Sequence, residues 1–131
     1  VALSDVLSPD VTSSASTALD RYRDLGDDRS KVSRADLFKL ICQLHKHQCW
    51  SESILPMRDY ISRFLSNSEV VRLKLAEILI RREERPAQGI KVLERIKDSE
   101  LSSTLRSHKA KLEAEAEELR EVHVELETEE W

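Results

Sequence analysis

The sequence predicts an all-α protein, and three observations support this. Glycine occurs only twice in 131 residues, and good helix formers fill most of the chain. Charged residues make up 35% of the chain against 40% hydrophobic and 5% aromatic residues, a balance typical of helices with narrow apolar stripes. Apolar residues also recur at intervals of three and four, the spacing of one helix face. The longest purely aliphatic stretch is Ile78 to Ile80, so no membrane span is expected.

Composition and start signals divide the chain into three segments. Residues 1–30 hold few side chains to bury and are expected to be weakly ordered or marginally helical, with Gly26 stopping any helix there. Residues 31–98 are predicted to form two antiparallel helical hairpins stacked on each other. Residues 99–131 are predicted to form a long acidic helix that begins near Ser99 and caps the stack.

Two patterns of serine followed three residues later by an acid predict helix starts. Ser33 with Asp36 opens a helix over about 34–47, and Ser66 with Glu69 opens a second. The first of these helices has a clear apolar stripe made of Leu37, Leu40, Ile41 and Leu44.

Two prolines mark the second helix of each hairpin. Pro86 suits the first turn of a short helix. Pro56 lies inside the apolar stripe that runs from Trp50 to Phe64, and a proline beyond the first turn removes a backbone hydrogen bond. That helix is therefore either kinked or begins later than Ser51.

An internal repeat relates the two hairpins. A shift of 36 residues places apolar positions on apolar positions: Leu37 on Leu73, Leu40 on Ala76, Leu44 on Ile80, Trp50 on Pro86, Ile54 on Ile90, Met57 on Leu93 and Tyr60 on Ile96. Two helices and a turn per repeat are typical of a helical solenoid, in which each unit hides its stripe against its neighbour. Phe38 with Lys74 and Ile41 with Glu77 do not match.

The turns inside the two hairpins also resemble each other. The first contains Gln48, Cys49, Trp50 and Ser53, and the second has Arg85, Pro86 and Gly89 at the corresponding positions. In these features residues 34–97 resemble the tetratricopeptide repeat family. Ser53 and Gly89 replace the usual alanine of that family, and its helix-ending proline is absent at Leu65.

The tetratricopeptide resemblance implies a concave groove lined by the first helix of each hairpin. Carried onto this chain, the groove residues are Phe38, Cys42, His45, Lys74, Ile78 and Arg81. Such a mixture suits an extended or helical peptide with some acidic character. The family grips a carboxylate with asparagines where this chain has Cys42 and Ile78, so that specificity is not expected. In the alternative interpretation Phe38 and Ile78 are core residues, because two units make a short groove.

A second resemblance involves the run from Val71 to Ala76 followed by Arg85, Pro86 and Ala87. This pattern is similar to repeat segments that follow the membrane core in some bacterial rhomboid-family proteins. It implies an accessory domain of a membrane-embedded protease whose active site lies outside this chain. The chain begins at Val1 without a methionine, so a piece of a longer bacterial protein is expected.

No motif of catalysis or cofactor binding is present. The sequence has no glycine-rich phosphate loop and no nucleophile elbow, so neither enzymatic activity nor a cofactor is expected. His45 and Cys49 have the spacing of two ligands on one helix, but histidines in a last turn also suit the helix dipole, and no metal is expected. Cys42 and Cys49 fit a reducing compartment, which predicts a cytoplasmic location, including as the soluble part of a membrane protein.

Charge is distributed unevenly along the chain. Residues 113–131 hold nine Glu and one Arg, whereas residues 1–112 hold 20 basic and 16 acidic side chains. Basic side chains cluster between Arg81 and Lys97, which raises nucleic-acid binding as a hypothesis. Acidic residues interrupt that cluster and no aromatic residue is interleaved, so a solvated helix face is favoured.

The last helix has eight positions at a spacing of four and three, and six of them are apolar. They are Leu101, Leu105, His108, Leu112, Glu115, Leu119, Val122 and Leu126. This spacing fits either a coiled-coil seam that forms a homodimer or a helix that caps the last hairpin, and the polar end that repeat stacks need favours the cap.

Taken together, these features predict a protein–protein interaction module that acts as an adaptor or regulatory segment and binds a protein or peptide. Two alternatives remain: an accessory domain of a rhomboid-type protease and a nucleic-acid-binding helical domain.

Overall fold

The computed structural model describes residues 12–122 of the chain. Within that range the protein is helical and contains no β-strand, which confirms the all-α prediction. The α-helices are α1 (Thr12–Asp24), α2 (Arg34–Lys46), α3 (Ile54–Arg63), α4 (Glu69–Arg81), α5 (Pro86–Glu94) and α6 (Ser103–Val122). Short 3-10 turns lie at Gly26–Lys31, Ser51–Ser53 and Asp98–Glu100. The described residues divide into two compact units, unit one ending at Phe64 and unit two beginning at Leu65.

Unit one packs α1 against α2 and α2 against α3. Its buried apolar side chains come from all three helices and from the residue that follows the first 3-10 turn, and they are Ala18, Leu19, Tyr22, Val32, Leu37, Leu40, Ile41, Leu44, Met57 and Tyr60. The whole predicted stripe of α2 is among them. The periodicity of the sequence therefore identified the buried face of this helix correctly.

The described part of the N-terminal segment comprises the thirteen-residue helix α1 and most of the 3-10 turn Gly26–Lys31, and the rest of the segment predicted to be weakly ordered or marginally helical lies outside the described residues. Tyr22 of α1 is fully buried, and the Tyr22 hydroxyl donates a hydrogen bond to the carboxylate of Asp59 on α3. Burial, followed by this hydrogen bond to Asp59, raises the pKa of Tyr22 well above its usual value. Asp59 lies 37 residues away, so local sequence could not reveal the contact that holds α1.

The boundaries of the helices in unit one follow the predicted signals. The Ser33 hydroxyl accepts a hydrogen bond from the Asp36 amide at 3.1 Å, as an N-cap does. Gly26 adopts a φ of 56°, two residues after α1 ends. Because α3 begins at Ile54, Pro56 falls in the first turn, where its missing N–H removes no helical hydrogen bond. The second of the two alternatives for Pro56 is therefore correct.

Unit two packs α4, α5 and α6 against one another. Pro86 occupies the first turn of α5, as predicted. Gly89 lies where α5 comes closest to α4, and a Cβ atom on Gly89 would stand 2.4 Å from Cγ1 of Ile80. The absence of a side chain at Gly89 is thus a requirement of this helix pair.

Two predicted helix starts in unit two are shifted. Helix α4 begins at Glu69 with Ser68 as its N-cap, so Glu69 is the first helical residue and cannot complete a box with Ser66. Glu69 is only 6% exposed and instead accepts a hydrogen bond from the Lys97 amide at 3.2 Å. Helix α6 begins at Ser103, four residues later than expected, and its predicted end at Leu126 lies outside the described residues.

Local features recur at the spacing of the sequence repeat. Gln48 and Glu84, thirty-six residues apart, have φ values of 59° and 55° in the turns that follow α2 and α4. Five of the apolar pairs are buried in both members: Leu37 and Leu73, Leu40 and Ala76, Leu44 and Ile80, Met57 and Leu93, and Tyr60 and Ile96. The repeat therefore has a counterpart in backbone geometry and in burial within each unit.

Candidate protein-binding surfaces

The first candidate surface is the exposed face of α2. It consists of Ala35, Phe38, Lys39, Cys42 and Lys46, all exposed, and we refer to it as the α2 surface. At 3.6 residues per turn these positions fall within a sector of about 100°, opposite the buried stripe of the same helix. Three of the five side chains are uncharged and two are cationic.

Phe38 is the central feature of the α2 surface. Its side chain is 43% exposed, and its ring lies 6.0 Å from the ring of Tyr60. The guanidinium of Arg34 lies 5.2 Å from the centre of the Tyr60 ring, and Arg34 Nε donates a hydrogen bond of 2.8 Å to the Tyr60 hydroxyl. The phenyl ring is therefore presented to solvent from a fixed aromatic and cationic base.

The remaining side chains of the α2 surface add an apolar strip and positive charge. Partial burial raises the pKa of the Cys42 thiol, so this residue stays protonated at neutral pH and behaves as a small apolar group. Lys39 and Lys46 form no ion pair with any residue in the described range 12–122. Their charges are therefore available to an acidic ligand.

His45 was predicted to lie in the groove, and the structure places it in the last turn of α2. Its Nε2 lies 3.0 Å from the Ser53 hydroxyl, and its ring lies 5.3 Å from the ring of Trp50. Ser53 is fully buried and donates a 2.7 Å hydrogen bond to the Trp50 carbonyl, so its hydroxyl accepts a hydrogen bond from His45. This pair fixes the turn and does not have the arrangement of a nucleophile with its base, because the serine proton is already donated to a carbonyl.

The sequence spacing of His45 and Cys49 does not place them as a pair of metal ligands on one helix. Helix α2 ends at Lys46 and Gln48 has a positive φ, so His45 and Cys49 do not lie on successive turns of one helix. Cys49 Sγ donates to the His47 carbonyl at 3.6 Å. In the part of the chain that the structure describes, no three His, Cys, Asp or Glu side chains come together as a metal-ligand set.

The second candidate surface is on α4, in unit two, where the groove residues Lys74, Ile78 and Arg81 were predicted. Ile78 is 1% exposed, so its side chain lies in the interior. Lys74 forms a 2.7 Å ion pair with Glu77 on the same helix. Arg81 binds both carboxylate oxygens of Glu115 on α6, with Nε and Nη2 at 3.0 and 2.8 Å. The cations of this face therefore already hold acidic groups of the same chain.

Glu77 is the hub of this charged cluster. Its Oε1 accepts from Arg81 at 3.2 Å and lies 3.1 Å from His108 Nε2 of α6. Burial alone would raise the pKa of Glu77, but the hydrogen bond and charge of Lys74, with the charges of His108 and Arg81, hold it below its usual value. The hydrogen bond from Arg81 likewise lowers the pKa of Glu115. Both carboxylates are stabilised in their charged form by contacts that join α4 and α6.

The six predicted groove residues thus fall into two groups of three, one in each unit. Phe38 and Cys42 are exposed and carry no charge, and they are the predicted residues that the α2 surface retains. Sequence reasoning missed Lys39 and Lys46, although the helical period that identifies the buried stripe also identifies the residues opposite to it. No sequence signal pointed to the pairing of Arg81 with Glu115, since 34 residues separate them.

A polar cleft of about 280 Å³ lies in unit one and is lined by Gly26, Asp27, Arg29, Ser30, Asp59 and Arg63. Its principal charged groups are already engaged. Arg63 donates to the backbone carbonyls of Arg29 and Val32 at 3.2 and 2.6 Å, and Asp59 accepts from Tyr22 and pairs with Arg29. The cleft therefore joins the turn after α1 to α3, and Arg63 and Asp59 are already occupied by contacts within unit one.

Comparisons with known proteins add no family assignment. A scan against protein-family models, a search of curated proteins and a search of solved structures each find no match to this chain. Among residues 12–122, no helix combines the length and the apolar character needed to cross a bilayer.

Proposed function

We propose that this chain is a protein-interaction module, a tetratricopeptide-like pair of helical hairpins with a C-terminal helix, serving as an adaptor or regulatory segment of a larger bacterial protein. In this proposal the chain binds a partner and performs no chemistry itself. The repeat interpretation is supported by the thirty-six-residue recurrence of buried positions and of the left-handed turn residues Gln48 and Glu84. The binding role is supported by the α2 surface.

The observation that carries the proposal is the exposed aromatic ring of Phe38 on a helix whose opposite face is fully used in packing. Large aromatic side chains supply much of the energy of protein interfaces when they enter a pocket of the partner. The ring of Phe38 is 43% exposed, and its contact with Tyr60 reduces the conformational entropy that binding would remove.

The charges beside Phe38 define the class of partner. Lys39 and Lys46 lie about two helical turns apart along the same face, and neither forms an ion pair within residues 12–122. A ligand that places acidic groups along this line, with an apolar side chain over Phe38 and Cys42, gains both burial and ion pairing. We therefore expect the partner segment to be an acidic peptide, helical or extended, with at least one large apolar residue.

The test uses an array of peptides in which net charge and the number of large apolar residues vary independently, probed with the full-length protein. The protein should be retained by peptides that are both acidic and apolar, and retention should fall when the salt concentration rises. Phe38→Ala should reduce retention about tenfold or more, as expected for loss of an aromatic anchor. Lys39→Glu should shift the preference away from acidic peptides.

Val70→Ala provides the matched control, because Val70 is 59% exposed on α4 and does not belong to the α2 surface. It should leave retention unchanged. Equal retention of wild-type protein and Phe38→Ala, or a preference for basic peptides, would show that the α2 surface is not the binding face.

A further inference from the structure

Helix α6 rests on unit two through a small apolar contact. Within residues 103–120, only Leu112 and Ala116 are buried, while Leu105 and Leu119 are half-buried. Helices of this length that are core elements usually bury a stripe of three to four side chains per two turns. The apolar contribution of α6 is therefore modest for its length.

Ionic contacts also join α6 to α4. Glu115 is held by both nitrogens of the Arg81 fork, and His108 lies beside Glu77. The side chains of Arg81 and Glu115 are about one-third exposed, so water and salt reach this pair. Exposed pairs contribute little to stability but contribute strongly to the choice of partner. The contact between α6 and α4 has the character of a recognition interface.

The sequence of α6 describes what this interface accepts. A ligand helix presents Leu112 and Ala116 on one line, with Leu119 on the following turn, and it places Glu115 directly before the small residue. Burial follows this pattern, since Leu112 and Ala116 are fully buried. The required pattern is a leucine, a glutamate three residues later, a small residue directly after the glutamate, and a second leucine three residues after the small residue.

We propose that the surface formed by α4 and α5 is a receptor for an acidic amphipathic helix of a partner protein, and that α6 is an internal occupant which the partner helix displaces. The proposal rests on the interaction function proposed above but concerns unit two and does not depend on the α2 surface. Arg81 selects the partner by its carboxylate, and the apolar groups around α5 receive its leucine and small residue.

Covalent attachment makes α6 a strong competitor for its own site. A segment joined through a short connection is present at an effective concentration in the millimolar range, so a free helix of equal intrinsic affinity binds weakly to the intact protein. Elements with few buried contacts open more readily than the core. Weakening of the attachment of α6 should therefore make the same surface available to an added helix.

The experiment measures binding of a labelled peptide with the sequence of residues 103–122 to the full-length protein by fluorescence anisotropy. Glu115→Arg in the protein places two arginines together and releases α6, while Arg81 stays intact. The wild-type peptide should bind this variant about tenfold more tightly than it binds wild-type protein, which corresponds to about 1.4 kcal/mol. Glu115→Gln removes the charge without adding repulsion. It takes the place of Glu115→Arg if circular dichroism shows that the Glu115→Arg protein is unfolded.

A reciprocal pair tests whether Arg81 is the selecting residue. Arg81→Glu protein should reject the wild-type peptide and bind a peptide that carries Glu115→Arg. A protein with both Arg81→Glu and Glu115→Arg again has an ion pair between α4 and α6, with the two charges exchanged. Both peptides should therefore bind this protein as weakly as the wild-type peptide binds wild-type protein. These four combinations separate recognition by Arg81 from nonspecific association with an opened protein.

The outcomes are distinct from those of the α2 surface test, because none of the variants alters α2. Failure of the wild-type peptide to bind the Glu115→Arg and Glu115→Gln proteins would make α6 a fixed structural element and overturn the proposal. Equal binding of both peptides to all opened variants would overturn the role of Arg81. A Glu115→Gln protein that dimerises by light scattering, and becomes monomeric with excess peptide, would identify a second copy of the chain as the occupant and replace the partner helix.

Discussion

Gly89 offers the sharpest test of the packing in unit two. A Cβ atom at this position would lie 2.4 Å from Cγ1 and 2.9 Å from Cδ1 of Ile80, and 3.4 Å from the carbonyl oxygen of Ala76. Only the last distance is an ordinary contact. The Gly89→Ala substitution therefore requires Ile80 to move by about 1 Å, or α5 to move away from α4.

The magnitude follows from two opposing effects. Forcing an extra methyl group into a packed core costs about 1–3 kcal/mol, and the upper part of that range applies because Ile80 is β-branched and 1% exposed. Replacement of glycine by alanine inside a helix returns about 0.5–1 kcal/mol. Gly89→Ala should therefore lower the free energy of unfolding of unit two by about 1–2 kcal/mol.

The same substitution should raise the free energy of unfolding when Ile80 is truncated. Ile80→Ala removes both side-chain atoms that the new methyl group would meet, at a cost of about 2–5 kcal/mol for the cavity. In that background Gly89→Ala keeps its gain in helix propensity and fills part of the cavity. The double-mutant cycle should give a favourable coupling of about 2 kcal/mol.

Unfolding in urea, followed by circular dichroism, measures the four proteins, and hydrogen exchange in residues 69–94 assigns the change to unit two. Gly26→Ala is the control, because Gly26 has a φ of 56° and no atom within 4 Å of an added Cβ. It should destabilise unit one by about 1 kcal/mol through backbone strain, and Ile80→Ala should not rescue it. A Gly89→Ala protein that is as stable as wild type, or a cycle without coupling, would refute the close approach of α5 to α4.

Three further predictions concern polar and charged side chains of the two units. Glu77 and Glu115 have lowered pKa values in the folded protein, so they stabilise it above the unfolded pKa of about 4.5. This stability should be lost as the pH falls through their folded pKa values. The urea midpoint of the Glu77→Gln protein should therefore change less between pH 6 and pH 3 than the midpoint of wild type. Gln88 is 4% exposed and its Oε1 has no hydrogen-bond partner within the described residues, so Gln88→Leu should raise the free energy of unfolding by about 1 kcal/mol, and a loss of stability would show that the amide is satisfied. Tyr22→Phe should lower the free energy of unfolding by about 1.5–3 kcal/mol in urea titrations, because it removes the hydroxyl that donates to the Asp59 carboxylate. A change in this free energy below about 0.3 kcal/mol would mean that the hydrogen bond contributes nothing.

Features that depend on neighbours within one helical turn follow from the sequence alone. Ser33 caps α2, Pro86 opens α5, and Pro56 was correctly limited to a kink or a late helix start. Each of these effects acts over three or four residues, so the local sequence contains all the interacting groups.

The errors arose where a distant residue decides the outcome. The spacing of Ser66 and Glu69 predicted a capping box, but it gave no sign that Glu69 accepts a hydrogen bond from the Lys97 amide, 28 residues away. The candidate groove cation Arg81 was read as available to a ligand, whereas α6 supplies its carboxylate.

By itself, the sequence determined that this protein is built of helices, which face of α2 is buried, and that thirty-six residues separate equivalent positions, because helical period and capping are local properties of the chain. Only the tertiary structure decided which charges remain available. Lys39 and Lys46 on α2 stay unpaired within residues 12–122, while Arg81 is matched by Glu115. Electrostatic pairing depends on distance in space, and a contact across 34 residues has no signature in local sequence.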